Sequence, residues 1–579
     1  MGLRDRLPAD RGPVRRDLRQ FPRADARQGD ARRHPALPQP SARTERRCHL
    51  RLRRHDPVER RAARPHRLRR SCRPRPGRRS RTCARSGRAH PAPARQAQAS
   101  GRGRAQRRRA RSIAGSGGSG CNRCRRRRFR FQRPSRSRCT SRGAGTITRS
   151  ARSEARPVYI VDGNRTPFIK ARGKPGPFSP ADLAVQCGRP LLMRQPFAPD
   201  AFDEVILGCA NQVAGEMNVA RVAALRMGCG DEMPAHTVHR NCGSGMQSLD
   251  EAYRYIAHGD MELVLAGGTE ALSRAPLILS DEATAWLAKF QGAKTAGDRA
   301  KALRKFNLAY LSPEIGLKQG LTDPISGLAM GQTAEEVAHR FGISRWQADE
   351  YAMESHRRLA RAQEEGWLDN EVEPMFAPDG TVYDHDDGVR PDNNMEQLGK
   401  LKPVFEKYGN VTAGNSSQIT DGACWIILAS EEAVEKHGLT PLAKIVDSDW
   451  AALAPEIMGL GPTVSATPLL KRGELSLGDI DVWELNEAFA AQVLGCLAAW
   501  EDPGFCRDVL GLDGALGAVD REKLNIDGGA VSLGHPVGTS GTRIVLHLVN
   551  ALRRTGGKRG IATECIGGGQ GGAMLVEAL

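Results

Sequence analysis

The sequence predicts an α/β protein with a layered core made of two similar halves. Apolar, β-branched strand segments alternate with helical segments from about residue 157 onward, a pattern typical of strands packed between helices. The order of strands, glycine-rich corner and helix in the first half recurs in the second, which indicates an internal duplication. We therefore predict halves at 153–275, completed by 413–432, and at 433–579, with an inserted lid or loop domain at 276–412.

Residues 1–152 differ from this body in composition. Residues 1–150 contain 47 arginines, eight acidic residues and no lysine, a net charge of +39, and subtracting this from the +23 of the whole chain leaves −16 for the rest. Such a segment fits a nucleic-acid-binding arm, a targeting peptide or a stretch translated from the wrong frame of GC-rich DNA. We favour the last, because an arm would mix lysine and aromatic residues with its arginines and a targeting peptide would be shorter. We expect neither a packed core nor bound nucleic acid there.

The cysteines follow the same division of the chain. Six of the fourteen lie in the arginine-rich part, where Cys121 and Cys124 have no second ligand pair at zinc spacing. The other eight are scattered without a disulfide framework, so we predict no metal site and a reducing, cytoplasmic location. The chain contains no apolar run of the roughly 18 residues that a membrane helix needs, and we predict no transmembrane segment.

The first half is predicted to begin with an apolar strand at Pro157 to Val161. A helix at 182–193, a strand at 204–207 and a helix at 219–227 follow. After the corner described below, Leu263 to Ala266 form another strand that runs into a glycine loop.

The insertion and the second half continue this alternation. Polar loops with glycine and proline join the helices of the insertion, and Asp384 to Asp387 are expected to form a solvated turn, because adjacent loop residues rarely converge on one metal ion. A turn and a buried strand at 411–430 return to the core. The remaining predicted elements are helices at 282–291, 334–341, 345–365 and 542–553 and strands at 443–446, 482–485, 560–563 and 573–577.

The corner Asn241-Cys242-Gly243-Ser244-Gly245 carries the first candidate for chemistry. Apolar residues recur at helical spacing from Met246 to Ile256, so Cys242 lies where a helix begins. The N–H groups at a helix N-terminus favour negative charge, and we expect a lowered pKa for this thiol. Gly243 and Gly245 would leave room for a substrate carbonyl. Taken alone, the stretch equally fits a buried structural cysteine.

Three stretches of the second half are dense in reactive side chains. Asn486 and Glu487 follow a strand, His535 lies in a loop of small residues, and Cys565 precedes a run of glycines. Each stretch is weak evidence by itself, since loop histidines are often structural and glycines often form turns. Together with Cys242 they match the chemical requirement of a nucleophile that works with a base and hydrogen-bond donors.

The stretches NCGSGMQS, NEAF, GGAVSLGHPVGTSG and CIGGG resemble the motifs of the thiolase family in their order and spacing. The resemblance covers about 155–579 and is strongest to the 3-ketoacyl-CoA thiolases that form the β subunits of fatty-acid oxidation complexes. It implies a duplicated five-layer αβαβα core with an inserted lid, CoA thioesters as substrates and no cofactor. It also implies a homodimer or homotetramer and is compatible with an α subunit of hydratase and dehydrogenase activity as a partner.

The resemblance implies a role for each of the reactive residues. Cys242 would accept the acyl group, with His535 as its general base, and Cys565 would protonate the acetyl-CoA carbanion as it leaves. One oxyanion hole would consist of the backbone N–H groups of Cys242 and Gly567. The other would consist of His535 and a water held by Asn486.

Three more residues complete the site that the resemblance implies. Glu487 would orient the water or the histidine, and Ser416 and Met458 would lie beside the pantetheine arm of CoA. The implied reaction is the ping-pong thiolysis of 3-ketoacyl-CoA to acetyl-CoA and a shortened acyl-CoA.

Three alternatives to this reaction stay open. The first is a biosynthetic acetoacetyl-CoA thiolase, which would use the same residues. The second is another condensing enzyme of the same fold, although such enzymes lack a cysteine at the position of Cys565. The third, of a different class, is a nucleic-acid-binding protein acting through its arginine-rich segment.

Overall fold

The computed structural model describes residues 155–579. Its strands are β1 (Val158–Arg165), β2 (Ile169–Lys170), β3 (Glu204–Gly208), β4 (Ala235–Val238), β5 (Leu263–Ala271), β6 (Leu277–Ile278), β7 (Glu314–Ile315), β8 (Met375–Phe376), β9 (Val382–Tyr383), β10 (Thr420–Ala429), β11 (Ala443–Ala452), β12 (Val482–Leu485), β13 (Arg559–Ile566) and β14 (Gln570–Ala578).

The α-helices lie mostly between these strands. They are α1 (Pro180–Met193), α2 (Val219–Met227), α3 (Ser244–His258), α4 (Asp281–Gln291), α5 (Ala296–Leu303), α6 (Gly316–Gly320), α7 (Met330–Phe341), α8 (Arg345–Glu364), α9 (Met395–Gly399), α10 (Glu431–His437), α11 (Gly461–Arg472), α12 (Ala490–Glu501), α13 (Pro503–Asp508), α14 (Ala530–Leu533) and α15 (Ser540–Thr555).

Ten strands form one mixed sheet in the order β12-β13-β14-β11-β1-β10-β5-β3-β4, with β2 beside β10. The segments β3-β5-β10-β1 and β12-β13-β14-β11 have the same order, and in each the first pair is parallel and the other pairs are antiparallel. Both carry a bulge at the matching place, after Ile160 in β1 and after Ile445 in β11. The predicted duplication is therefore confirmed down to this irregularity of the strands.

The two half-sheets and their helices form five layers. Helices α1 and α2 cover the outer face of the first half-sheet, and α11 and α12 cover that of the second. Between the half-sheets lie α3 and α15, where Met246 and Leu548 share a buried apolar cluster with Ile160. Since each half-sheet is apolar on both faces, it needs helices on both sides. The predicted αβαβα core is confirmed.

Most predicted elements are present with shifted ends. Helix α2 spans the predicted residues, whereas α1 begins at Pro180 because Ser179 caps it and Asp182 completes the capping box. Helix α12 is absent from the prediction because it is buried on nearly every side, which hides the helical period of its sequence. Within residues 155–579, no helix has the length and apolar character needed to cross a bilayer.

The chain between β5 and β10 forms a cover over one end of the core. It contains α4 to α9 and the two-stranded sheets β6-β7 and β8-β9. Helix α7 packs against α12, and α8 reaches the second half through Tyr351 and Ser355. This segment therefore contributes side chains to the surroundings of the predicted site.

A buried ion-pair network joins this cover to β1 and α15. Arg165 donates to Glu371 and Asp386, each at 2.8 Å, and His547 lies 3.0 Å from Glu371. Burial lowers the pKa of His547, but Glu371 and Glu484 raise it to about 10, so the imidazole is charged. The predicted solvated turn is wrong for Asp386, which is buried in an ion pair with Arg165. Arg165 lies 221 residues earlier in the chain, so the residues near Asp386 give no sign of this partner.

We expect Glu371→Gln to destabilise the protein strongly. The change leaves Arg165 and His547 buried with too little negative charge, and breaking a buried pair typically costs about 3–5 kcal/mol. Urea unfolding followed by circular dichroism measures the loss. Glu396→Gln is the matched control, because its pair with Lys400 is exposed and such pairs contribute less than about 1 kcal/mol. Equal losses for the two variants would contradict the assignment.

Candidate active site

The Cys242 corner is a tight turn between β4 and α3. Asn241 has a left-handed backbone conformation with φ of 46°. The Ser244 hydroxyl accepts the Arg240 N–H at 2.9 Å and donates to the Asn241 carbonyl at 2.7 Å. Asparagine is one of the few residues that tolerate this conformation. The turn therefore fixes Cys242 just before the first residue of α3, as the sequence predicts.

Gly243 and Gly245 bring this corner into contact with the second half. A Cβ on Gly243 would lie 2.5 Å from Cδ1 of Ile566, and a Cβ on Gly245 would lie 2.9 Å from the carbonyl oxygen of Gly538. Protein atoms fill both positions, so the expectation that these glycines leave room for a substrate carbonyl is wrong. Their physical role is close packing of the two halves.

Cys242 is partly exposed, whereas the seven other cysteines within residues 155–579 are buried. Its sulfur nevertheless lies deep in the protein, and burial raises the pKa of the thiol to about 12, although a hydrogen bond from the Gly567 N–H lowers it. The expected lowering of this pKa is wrong, because desolvation of the thiolate outweighs the N–H donors. The resting thiol is protonated and requires a base.

His535 is suited to be that base. Its Nδ1 lies 2.6 Å from the Ser540 hydroxyl, which holds this side of the ring. Its buried Nε2 has no hydrogen-bond partner among the described residues. Burial and the charge of Arg543 lower the pKa of His535 to about 4. The imidazole is therefore neutral at pH 7, with Nε2 free to accept a proton.

Cys242 and His535 each precede one of two helices that begin side by side. A Cβ on Gly541 in α15 would lie 2.4 Å from the backbone nitrogen of Met246 in α3. The first turns of α3 and α15 are thus in backbone contact. Because both residues lie within five positions of these turns, the structure brings them to the same end of the helix pair.

Cys565 and Asn486 lie at the carboxyl ends of neighbouring parallel strands. The Asn486 N–H donates to the Thr563 carbonyl at 2.9 Å. Both polar side-chain atoms of Asn486 are buried and unpartnered among residues 155–579, so its amide can bind a further polar group. Burial and then the nearby Cys242 raise the pKa of Cys565 well above its ordinary value. Cys565 therefore holds its proton close to Cys242.

The glycine loop after Cys565 closes on the Cys242 corner. Asn241 Nδ2 donates to the Gly567 carbonyl at 2.8 Å, and the Gly567 N–H reaches the sulfur of Cys242. Gly568 and Gly569 follow with φ of 91° and 76°, a conformation that favours glycine. This geometry puts the Gly567 N–H beside the sulfur, and its role in an oxyanion hole stays a prediction.

The Glu487 carboxylate is fully occupied by hydrogen bonds from its surroundings. Its donors are the hydroxyls of Tyr351 (2.8 Å) and Ser355 (2.7 Å), the amide of Asn525 (3.0 Å) and the N–H of Val531 (3.1 Å). Val531 lies in α14, the short helix from which the chain continues into the His535 loop. The contacts therefore assign Glu487 to holding α14 and leave no oxygen for proton transfer, and its orienting role stays a prediction.

Ser416 and Met458 both contact the segment around Phe489. Ser416 pairs with Phe489 through a β-bridge, and its hydroxyl donates to the Thr412 carbonyl at 2.7 Å. Met458 is buried in one apolar cluster with Phe489 and Cys565. Their contact with CoA stays a prediction.

Two residues that the sequence analysis did not identify hold His535 in place. The Ser540 hydroxyl lies 2.6 Å from Nδ1, and the Gln418 carbonyl accepts the backbone N–H of His535 at 3.0 Å. A hydroxyl in the first turn of the following helix is a signal that points to Ser540. No sequence signal points to Gln418, because the contact uses its backbone.

Comparison with known proteins identifies a family for nearly the whole of the described chain. The family model Thiolase, N-terminal domain, matches residues 158–432, and Thiolase, C-terminal domain, matches residues 439–578. The β-ketoadipyl-CoA thiolase of Pseudomonas aeruginosa is 42% identical over 431 residues, which cover 73% of this chain and 99% of that protein.

A mitochondrial relative and a solved structure extend the comparison. The trifunctional enzyme subunit beta of Bos taurus is 38% identical over 441 residues, 75% of this chain and 92% of that protein. The crystal structure of human mitochondrial 3-ketoacyl-CoA thiolase matches with a TM-score of 0.63 and 37% identity, covering 73% of this chain and 99% of that one.

We expect iodoacetamide to modify Cys242 selectively among the cysteines of residues 155–579. We expect His535→Ala to slow this alkylation of Cys242 about 100-fold, which is the lower range for loss of a general base. Peptide-resolved mass spectrometry over time measures the rate. His385→Ala is the matched control, because that histidine is exposed. Labelling of Cys565 at the same rate, or an unchanged rate in His535→Ala, would show that the site is assembled differently.

Proposed function

The chain belongs to the thiolase family, and on this premise we propose that it cleaves 3-ketoacyl-CoA with CoA to give acetyl-CoA and a shortened acyl-CoA. The observation that carries the proposal is the pairing of two cysteines of unequal exposure. Cys242 is partly exposed at the end of the helix pair where the neutral His535 also lies, and Cys565 is buried near Cys242 with its proton held. One can carry an acyl group and the other can move a proton.

Acylation starts from a site without charge on its reacting groups. The sulfur of Cys242 attacks the 3-keto carbon while His535 Nε2 takes the thiol proton. Because the thiolate and the imidazolium are each unfavourable alone, proton transfer accompanies carbon–sulfur bond formation. The negative charge moves to the keto oxygen, where the N–H groups of Cys242 and Gly567 stabilise it.

Cleavage of the Cα–Cβ bond leaves its electron pair on the acetyl-CoA fragment as an enolate. Its thioester oxygen faces protonated His535 and a water held by the Asn486 amide. Cys565 gives its proton to the α-carbon, which releases acetyl-CoA and leaves Cys565 as a thiolate. A strongly raised thiol pKa suits this step, because the proton is held until a more basic carbon appears.

Thiolysis by CoA then restores the resting enzyme. The Cys565 thiolate takes the proton of the incoming CoA thiol, whose sulfur attacks the acyl group on Cys242. As the carbon–sulfur bond to the enzyme breaks, His535 returns its proton to Cys242. The two half-reactions use the same pair of thiols, and we propose Ser416 and Met458 as contacts of the pantetheine arm.

Two alternatives have less support. A decarboxylating condensing enzyme of the same fold has no use for a proton-donating cysteine at position 565. The biosynthetic direction uses the same residues in reverse, and the described contacts do not favour it. The proposed nucleic-acid-binding alternative falls on residues 1–152, outside the described part of the chain.

We further propose a homodimer or homotetramer in the cytoplasm. Strand β4 pairs with β3 on one side alone within residues 155–579, and a free strand edge suits pairing with a second copy. The eight described cysteines are unpaired, which is typical of a reducing compartment. The similarity to a protein named trifunctional enzyme subunit beta supports an α-subunit partner.

We expect Cys242→Ser to abolish the acyl-enzyme. We expect Cys565→Ala to retain the acyl-enzyme, while its rate of carbon–carbon cleavage falls about 10²–10⁴-fold, the usual contribution of a general acid. Mass spectrometry after incubation with acetyl-CoA detects the acyl group, and acetyl-CoA release from 3-ketoacyl-CoA and CoA measures cleavage. Cys229→Ala, a buried cysteine in the core of the first half, is the control that should retain both. An acyl group on another residue would overturn the proposal.

A further inference from the structure

Glu270 is a buried carboxylate that none of the steps above uses. It lies near the end of β5 and is fully buried. Its Oε1 accepts the Asn211 N–H at 2.9 Å, and its Oε2 accepts the N–H groups of Ala210 at 3.1 Å and Gly538 at 2.9 Å. Two of these donors follow β3 in the first half, and the third follows His535 in the second.

The backbone around Gly538 lies directly on the first half of the protein. A Cβ on Gly538 would lie 2.9 Å from Cα of Cys209, and a Cβ on Gly268 would lie 2.2 Å from the Gly538 carbonyl oxygen. At this distance no side chain separates the two backbones. The Gly538 N–H therefore needs an acceptor from the first half, and Glu270 supplies it.

The same segment after β3 also touches the helix of Cys242. A Cβ on Gly208 would lie 2.4 Å from the carbonyl group of Ser244, the first residue of α3. The chain from Gly208 to Asn211 thus contacts the start of α3 at one end and Glu270 at the other. Glu270 connects the Cys242 side of the site to the loop of His535.

Charge makes this connection firm. Burial raises the pKa of Glu270 to about 7, while the N–H donors of Asn211, Gly538 and Ala210 lower it. In the ionised form both oxygens accept hydrogen bonds, and charge-assisted bonds are stronger than neutral ones. A glutamine has one acceptor oxygen, so its NH₂ group would face one of the three N–H donors.

We propose that Glu270 is a positioning residue for His535, fixing the loop at Gly538 so that Nε2 stays aligned with Cys242. The proposal rests on the proposed role of His535 as the base for that thiol. The remaining anchors of the loop are neutral hydrogen bonds, from the His535 N–H to the Gln418 carbonyl and from the Thr539 hydroxyl to the Gly422 carbonyl at 2.8 Å. Among residues 155–579, Glu270 is the one charged side chain that forms a hydrogen bond with the backbone of the loop at 536–539.

The test compares Glu270→Gln with the wild type at pH 8, where the wild-type carboxyl group is mostly ionised. Active sites are counted from the burst of acyl-enzyme formed with acetyl-CoA, and kcat for thiolysis is expressed per active site. We expect this kcat to fall about 10–100-fold, since a small misplacement of a catalytic group has effects of this size, and KM for both substrates to change less than about threefold. Alkylation of Cys242 by iodoacetamide should slow by a similar factor.

Asp421→Asn is the matched control. Asp421 is a buried carboxylate on β10. It lies opposite Ala271 of β5, next to the pair that Gly422 forms with Glu270. It accepts the Ser273 N–H at 2.8 Å. Its charge raises the pKa of Glu270, so its removal leaves Glu270 more fully ionised and the hydrogen bonds of Glu270 to the loop in place. We expect this variant to keep its kcat per active site within about twofold, even if its melting temperature falls.

The outcomes separate this inference from the proposed function. A wild type that forms no acyl-enzyme on Cys242 overturns both. A wild type that turns over normally, with a Glu270→Gln variant that loses active sites but keeps its kcat per site, overturns the positioning role alone. If Glu270→Gln does not fold, Glu270→Asp is measured in the same way. The shorter carboxylate should give an intermediate loss of kcat, and an unchanged value refutes the proposal.

Discussion

The backbone contact between the first turns of α3 and α15 is the constraint on which the site depends. Gly245 approaches the Gly538 carbonyl, and Gly541 approaches the Met246 nitrogen, at distances that leave no room for a Cβ. A methyl group at either position would push the helices apart and cost about 1–3 kcal/mol of overpacking. The duplication places these two helices in the central layer, so each half delivers one reacting group to the place where they meet.

Charge is segregated along α15. Just before its start, His535 is neutral. One to two turns later, Arg543 pairs with Glu484 at 3.0 Å, and His547 joins the buried network of Glu371 and Arg165. The carboxylates balance the cations within the network, while the positive field of Arg543 that reaches His535 lowers its pKa. The arginine that pairs α15 with β12 therefore also helps to keep the base unprotonated.

The sequence is sufficient to predict the layered fold and the duplication, and its compact motifs of cysteine, histidine and glycine indicate the candidate site. Contacts between distant segments were beyond it. A solvated turn is predicted for Asp386 because nothing near it in the chain indicates Arg165, and no sequence signal indicates Glu270 because its ligands are backbone N–H groups. The pKa of Cys242 was predicted in the wrong direction since a helix N-terminus is visible in the sequence, whereas the desolvation that outweighs it is not.

Desolvation also explains how two thiols in one site can have different tasks. It disfavours every charged form, so it raises the pKa of Cys242 and Cys565 and lowers that of His535. All three groups rest neutral, and charge develops only as substrate bonds change, beside donors that are already in place. What distinguishes the cysteines is access. Cys242 is exposed enough to hold an acyl group and to meet 3-ketoacyl-CoA and then the CoA thiol, whereas Cys565, 1% exposed, can exchange little more than a proton.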